Sequence, residues 1–141
     1  MRIRTSSLVC FLILAITIPA LAQYGHPLKG AWSGEWWVTR GQENRVLLEF
    51  NWDGKQITGT LNPGPNPAPM QKVSLEPPAG GVAGAMNPWA LHFEADVKDQ
   101  AGRTVRHVVD GKLANLGAYN RVITGIWTAG AQKGEFKVTL N

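Results

Sequence analysis

Apolar and polar residues alternate with a period of two along most of this chain, and this pattern constrains the fold more than any other feature. Every second residue is apolar in the stretches 46–52, 89–97 and 136–140. Successive side chains of a β-strand point to opposite faces, so each stretch predicts a strand with one face toward a core and the other toward water. The sequence after residue 22 shows no window with the period of an amphipathic helix.

Turn signals divide the chain into about eight candidate strands. They lie near residues 31–39, 45–52, 56–61, 71–75, 89–98, 103–113, 121–128 and 135–140. Asp53-Gly54 suits a tight hairpin, and Asp99 to Gly102 and Ala129 to Gly134 suit two further turns. Short connections favour antiparallel neighbours, and about eight such strands can close into a barrel. We therefore predict an all-β, antiparallel up-and-down barrel, with a two-sheet β-sandwich as the alternative.

Two segments interrupt the strand pattern, and two glycines interrupt strands. The proline-rich segment from Asn62 to Pro69 predicts a stiff extended loop, and the Pro, Gly and Ala-rich segment from Glu76 to Pro88 predicts a second loop. Gly59 and Gly125 each lie inside a strand, in the similar sequences 56–60 and 122–126. A glycine inside a strand marks a bulge, a bend or a close approach of two backbones.

The N-terminus carries the features of an export signal. Arg2 and Arg4 precede an apolar run of about 15 residues, which is shorter than the roughly 20 residues of a spanning helix. Ala20-Leu21-Ala22 then matches the pattern that signal peptidase cleaves. We expect residues 1–22 to be a helical signal peptide and residues 23–141 to be a single domain in the periplasm or outside the cell. We expect this domain to have no integral membrane anchor after cleavage, and no cysteine, because Cys10 would leave with the signal.

The charge of the mature chain gives no argument for a polyanionic partner. Arg2 and Arg4 leave with the signal, so twelve of the fourteen basic residues face ten acidic ones. The basic residues are also scattered along the sequence, whereas nucleic-acid-binding domains cluster theirs on one face. We therefore expect no nucleic-acid partner.

The sequence Gly30-Ala31-Trp32 at the opening of the first strand resembles the Gly-x-Trp signature of lipocalins and their calycin relatives. The chain resembles small exported bacterial proteins with a lipocalin-like barrel more than it resembles typical lipocalins, because they share this opening and a late Thr-Gly-x-Trp such as Thr124 to Trp127. In lipocalins the tryptophan closes the narrow end of an eight-stranded barrel, and a late basic residue packs over it. The resemblance implies a barrel-closing role for Gly30, Trp32 and Arg121, with Lys137 as the less favoured basic partner. It implies a fold and no activity.

A barrel of this size can hold one small ligand or be filled by its own side chains. The first interpretation makes the protein a non-catalytic binding module for a small apolar or amphipathic molecule. The inward-facing residues that would line its cavity are Trp36, Leu48, Phe50, Leu91, Phe93 and Val138.

An outer aromatic patch supports a second hypothesis. Trp37 shares a strand face with polar residues, and a turn centred near Gln42 would place it opposite Leu47. These two residues and the proline-rich loop would then dock a cell-envelope partner, in a structural or protein-interaction module. A single aromatic residue covered by a loop is the alternative interpretation of Trp37.

No constellation for catalysis, a metal or a cofactor is recognisable. The mature chain has three histidines, of which His26 lies in the leading segment, His92 on a polar strand face and His107 in phase with inward valines. They form no metal-binding pair, and we interpret them as satisfied or solvent-facing side chains. Its two serines, Ser33 and Ser74, lie in no nucleophile motif. We therefore expect neither an enzyme nor a metal or organic cofactor.

Overall fold

A computed structural model describes residues 25–62, 64–80, 87–116 and 118–141. The predicted signal peptide and its cleavage site lie outside these residues. None of the described residues belongs to a helix long and apolar enough to cross a membrane.

Eight antiparallel strands in chain order form one closed barrel. They are β1 (Gly30–Trp37), β2 (Asn44–Trp52), β3 (Ile57–Leu61), β4 (Ala68–Glu76), β5 (Trp89–Lys98), β6 (Thr104–Ala114), β7 (Val122–Ala129) and β8 (Gln132–Leu140). Each strand pairs with the next one in the chain, and β8 pairs with β1, so the sheet has no free edge. The predicted all-β, eight-stranded up-and-down barrel is confirmed, and the sandwich alternative is wrong.

Two strands, β4 and β8, begin three residues earlier than the sequence predicts, and in β4 the added residues include a proline. The sequence predicts a loop through Pro69, whereas β4 begins at Ala68 and Pro69 pairs with Thr60 of β3. A proline can occupy this position because β4 pairs with β5 only from Met70 onward. Position 69 therefore needs ladder hydrogen bonds on one side only, and the missing N–H can face the unpaired side.

Glycines permit close backbone contact where the strands bend. A Cβ atom on Gly125 would collide with the carbonyl oxygen of Asp110 on β6, and one on Gly34 would collide with that of Lys137 on β8. Any larger residue would push the paired strands apart at these points. Of the three alternatives for Gly125, a bulge, a bend or a close approach of two backbones, this contact shows the close approach.

Side chains from all eight strands fill the barrel with one apolar core. Its largest fully buried members are aromatic: Trp32, Trp127, Phe50, Phe93 and Phe136. Edge-to-face contacts link several of these rings, with centroids 5.9 Å apart for Phe50 and Phe93 and 5.5 Å apart for Trp127 and Phe136. This geometry is favourable for aromatic pairs, and it leaves the middle of the barrel closely packed.

The up-and-down order gives the barrel two different ends. The segment 25–29 precedes β1 at one end, which we call the N-terminal end and which also carries the turn 53–56. The connections 38–43, 99–103 and 130–131 lie at the other end, which we call the mouth. The predicted barrel-closing residues lie at the N-terminal end, whereas Trp36 of the predicted cavity residues lies at the mouth.

Candidate functional site

The chain's own N-terminal segment covers the N-terminal end of the barrel. Leu28 is fully buried there, and its carbonyl oxygen accepts a hydrogen bond of 2.7 Å from Trp32 Nε1. Arg121 Nη1 donates to the carbonyl oxygen of Pro27 at 2.9 Å, and Arg121 Nε donates to that of Leu116 at 3.2 Å. Two side chains from distant parts of the sequence therefore hold adjacent carbonyl groups of this segment.

The three residues that the resemblance marks as barrel-closing all lie at this end. Gly30 adopts a φ of 133°, which L side chains rarely adopt, and a Cβ there would lie 2.8 Å from Leu140 Cδ1. Glycine thus fits both the backbone conformation and the available space. Lys137, the less favoured basic partner, instead lines hollows on the outer face of the barrel.

Five of the six predicted cavity residues belong to the filled core. Their side chains are at most 2% exposed: Leu48, Phe50, Leu91, Phe93 and Val138. They are inward-facing, as the alternation predicts, but they pack against one another in a single cluster. Eight strands make a barrel that is barely wide enough for its own side chains, so large aromatic residues leave no room here for a ligand.

The sixth predicted cavity residue, Trp36, lines a cavity at the mouth. This cavity has a volume of about 250 Å³. Its walls come from the ends of five strands and from the connection after β5: Trp36, Val97, Asp99, Val105, His107, Ala129 and Gln132. The cavity is mostly apolar, with polar groups at defined positions, which is the usual composition of a small-molecule site.

Trp36, which lines this mouth cavity, stacks on Trp127 of the core. The indole rings of Trp36 and Trp127 lie with their centroids 6.0 Å apart at an interplanar angle of 17°. His107 meets Trp36 edge-on at 6.4 Å and Trp127 edge-on at 5.9 Å. Because Trp127 is only 1% exposed, it belongs to the core, whereas Trp36 and His107 carry the aromatic surface onward into the cavity.

A hydrogen bond fixes the state of His107. Trp127 Nε1 lies 2.9 Å from His107 Nδ1. An indole nitrogen can only donate, so Nδ1 accepts and the proton of the neutral imidazole resides on Nε2. Burial lowers the pKa of His107 below its ordinary value of 6.5, which favours this neutral form.

The sequence places His107 correctly and gives no role for it. Its alternation with Val105 and Val109 predicts an inward side chain, and the register sets it opposite Ala129 at the mouth. Of the two ring nitrogens of His107, Nδ1 has a hydrogen-bond partner, as the interpretation of a satisfied histidine requires, and Nε2 has none among the described residues. The pairing with Trp127 spans twenty residues and depends on the β6–β7 register, so no local sequence signal reveals it.

The outer patch differs from its prediction in two ways. Trp37 faces outward but is only 7% exposed, because the guanidinium of Arg40 covers its ring at 4.0 Å from the centroid. Leu47 pairs with Ser33 and not with Trp37, because Trp36 pairs with Asn44 and the hairpin is therefore centred two residues earlier than predicted. The predicted exposed pair is wrong, although both residues line one outer hollow of about 670 Å³.

A network of ion pairs occupies the outer face of β4, β5 and β6. Arg106 binds Asp96 through two hydrogen bonds of 2.7 and 2.9 Å and also binds Glu94 at 2.5 Å. Lys72 contacts Glu94 at 2.9 Å, and its hydrogen bond is the largest of the effects that lower the pKa of that carboxyl group. His92 Nδ1 lies 2.7 Å from Asp110. These contacts pair acidic side chains with basic ones on three adjacent strands.

The fold and its mouth together define a closed, up-and-down β-barrel with one end covered and a small aromatic cavity at the other. No family model, curated protein or solved structure matches this chain. Among the described residues, no group of three His, Cys, Asp or Glu side chains is placed to hold a metal ion.

Proposed function

We propose that this protein is an exported, lipocalin-like barrel of the periplasm or extracellular space that binds a small apolar or amphipathic molecule at its mouth. The observation that carries the proposal is the difference between the two ends of the barrel. Trp32 and Arg121 hold the chain over one end, while the other end carries the cavity lined by Trp36 and His107.

The volume of the mouth cavity determines how large a part of a ligand it can enclose. An apolar cavity of about 150 Å³ holds one benzene molecule. The mouth cavity of about 250 Å³ therefore suits a compound with one ring and a short substituent, or a small bicyclic compound. A fatty acid or a large amphiphile could place only one end of its chain here.

Titration of the full chain, purified after expression with its own leader, tests this proposal. Toluene serves as the probe, with calorimetry for stoichiometry and NMR of the indole N–H groups for location. We expect one saturable site that shifts the Trp36 and Trp127 signals. Replacing Trp36 by leucine should weaken binding by about threefold to tenfold, since an aromatic contact contributes about 0.5–1.5 kcal/mol.

Trp52 provides the matched control. At the opposite end of the barrel, the rings of Trp52 and His26 have their centroids 4.7 Å apart. Trp52→Phe should therefore leave the affinity for toluene unchanged. If toluene fails to saturate, or if both variants weaken its binding equally, the mouth is not the binding site.

The outer hollow favours a second candidate function, that of a structural or protein-interaction module of the cell envelope. Trp37 and Leu47 both line this hollow, together with Asn62 at the start of the proline-rich segment. Trp37→Ser should then abolish capture of an envelope partner, or self-association, while toluene binding is unaffected. The reverse result, with toluene binding lost through Trp36→Leu and association unchanged by Trp37→Ser, favours the first function.

A further inference from the structure

His107 presents an unengaged hydrogen-bond donor at the proposed binding site. Its Nδ1 is occupied by Trp127 Nε1, so the neutral ring carries its proton on Nε2. None of the described residues accepts a hydrogen bond from Nε2, and His107 forms part of the cavity wall. His107 is only partly buried, and its Nε2 is not one of the buried atoms that lack a partner, so Nε2 keeps access to solvent.

The other polar group with a fixed role at the cavity is already engaged. The carboxylate of Asp99 accepts hydrogen bonds from the backbone N–H groups of Ala101 and Arg103 and from Arg103 Nε, each at 2.9 Å. It holds the β5–β6 turn in place, so it is not available to bind a ligand cation. A charged ligand would also have to give up its hydration to enter a mostly apolar cavity, and this disfavours an anion.

We infer that the mouth accepts a neutral, planar, one-ring compound whose carbonyl oxygen accepts a hydrogen bond from His107 Nε2. The inference rests on the proposed function. Trp36 offers a ring for stacking, while Val97, Val105 and Ala129 supply apolar walls. Aromatic ketones, aldehydes and amides combine the flat ring with the neutral acceptor that these groups require.

The donor is tested with two compounds of nearly equal shape. Acetophenone carries a carbonyl oxygen where α-methylstyrene carries a CH₂ group, and neither compound titrates. Their affinities are measured for the native protein and for His107→Phe, so that the difference in hydrophobicity between the compounds cancels. We expect the ratio of the two affinities, acetophenone over α-methylstyrene, to be about fivefold lower in the variant, which corresponds to the loss of one hydrogen bond.

A second measurement does not depend on the variant folding. In the native protein, acetophenone should shift the ¹⁵N resonance of His107 Nε2, whereas α-methylstyrene should shift only the neighbouring aromatic signals. An unchanged preference in His107→Phe, or equal effects of the two compounds on Nε2, would overturn the inference. Failure of both compounds to bind the native protein would instead overturn the proposed function.

Ligand charge is tested with benzamide and benzoate, which have similar shapes and differ in charge. Benzamide should be the tighter ligand, because benzoate must give up more hydration to enter the mostly apolar cavity. Tighter binding of benzoate would overturn the requirement for a neutral ligand.

Discussion

Two tryptophans with opposite hydrogen-bonding states allow a sharp test of how the mouth is held together. Trp127 Nε1 donates to His107, whereas Trp89 Nε1 is buried without a hydrogen-bond partner among the described residues. Replacing Trp127 by phenylalanine removes buried apolar area worth about 1 kcal/mol, and the loss at Trp89 is smaller because that side chain is only partly buried. Trp127→Phe also leaves His107 Nδ1 unpaired, which adds about 1–2 kcal/mol because a half-buried acceptor retains some contact with water.

We therefore expect Trp127→Phe to lower the free energy of unfolding by about 2–3 kcal/mol. Trp89→Phe should change it by less than about 1 kcal/mol, since removal of an unpartnered donor offsets the lost area. Urea denaturation followed by far-ultraviolet circular dichroism measures both values without relying on indole fluorescence. Equal losses in the two variants, with unchanged urea dependence, would refute the argument that the His107 bond stabilises the barrel.

Three further predictions concern the barrel wall, its covered end and its response to pH. Gly125→Ala should lower the free energy of unfolding by at least about 2 kcal/mol, measured by urea denaturation, because the added methyl group would collide with the Asp110 carbonyl. A variant as stable as the native protein would contradict this. Arg121→Gln removes the bond to Pro27, so hydrogen exchange should quicken in the segment before β1 and stay unchanged in the core strands. Burial lowers the pKa of His107 in the folded protein, so below the ordinary pKa of 6.5 the unfolded chain binds a proton at this residue more readily than the folded one. The free energy of unfolding should therefore fall as the pH drops through 6.5. A His107→Phe variant should show a shallower fall, and an unchanged pH profile would contradict the assignment.

The period-two pattern was sufficient to predict the fold because it acts locally. Alternation determines which side chains of a strand face inward, and short turns determine which strands are neighbours. Leu48, Phe93 and Val138 are accordingly all inward-facing and buried. Pro69 misled the strand assignment because the cost of a proline depends on which neighbouring strand needs its N–H, and this is known only from the register.

The candidate site was harder to predict, because it depends on register and on the position along each strand. A hairpin centre two residues earlier than expected separates Leu47 from Trp37 without moving either residue to the other face. Alternation likewise marks Trp36 and Phe50 as inward-facing without showing that one lies at the mouth and the other in the packed middle. The cover that Arg40 provides for Trp37 depends on the conformation of the hairpin connection, which the strand pattern does not describe.

These observations give a physical reason for expecting binding at one end of this barrel. Because eight strands enclose little more than their own side chains, the aromatic core that stabilises the protein also excludes ligand from its middle. Space for a ligand is then left at the ends, and Trp32 and Arg121 fix the chain itself over one of them. At the other end the core continues through Trp127 to His107, which lines the cavity and whose Nε2 has no acceptor among the described residues. A small fold of this kind gains specificity from one directional donor beside an apolar wall, because an apolar cavity alone discriminates poorly between ligands of similar shape.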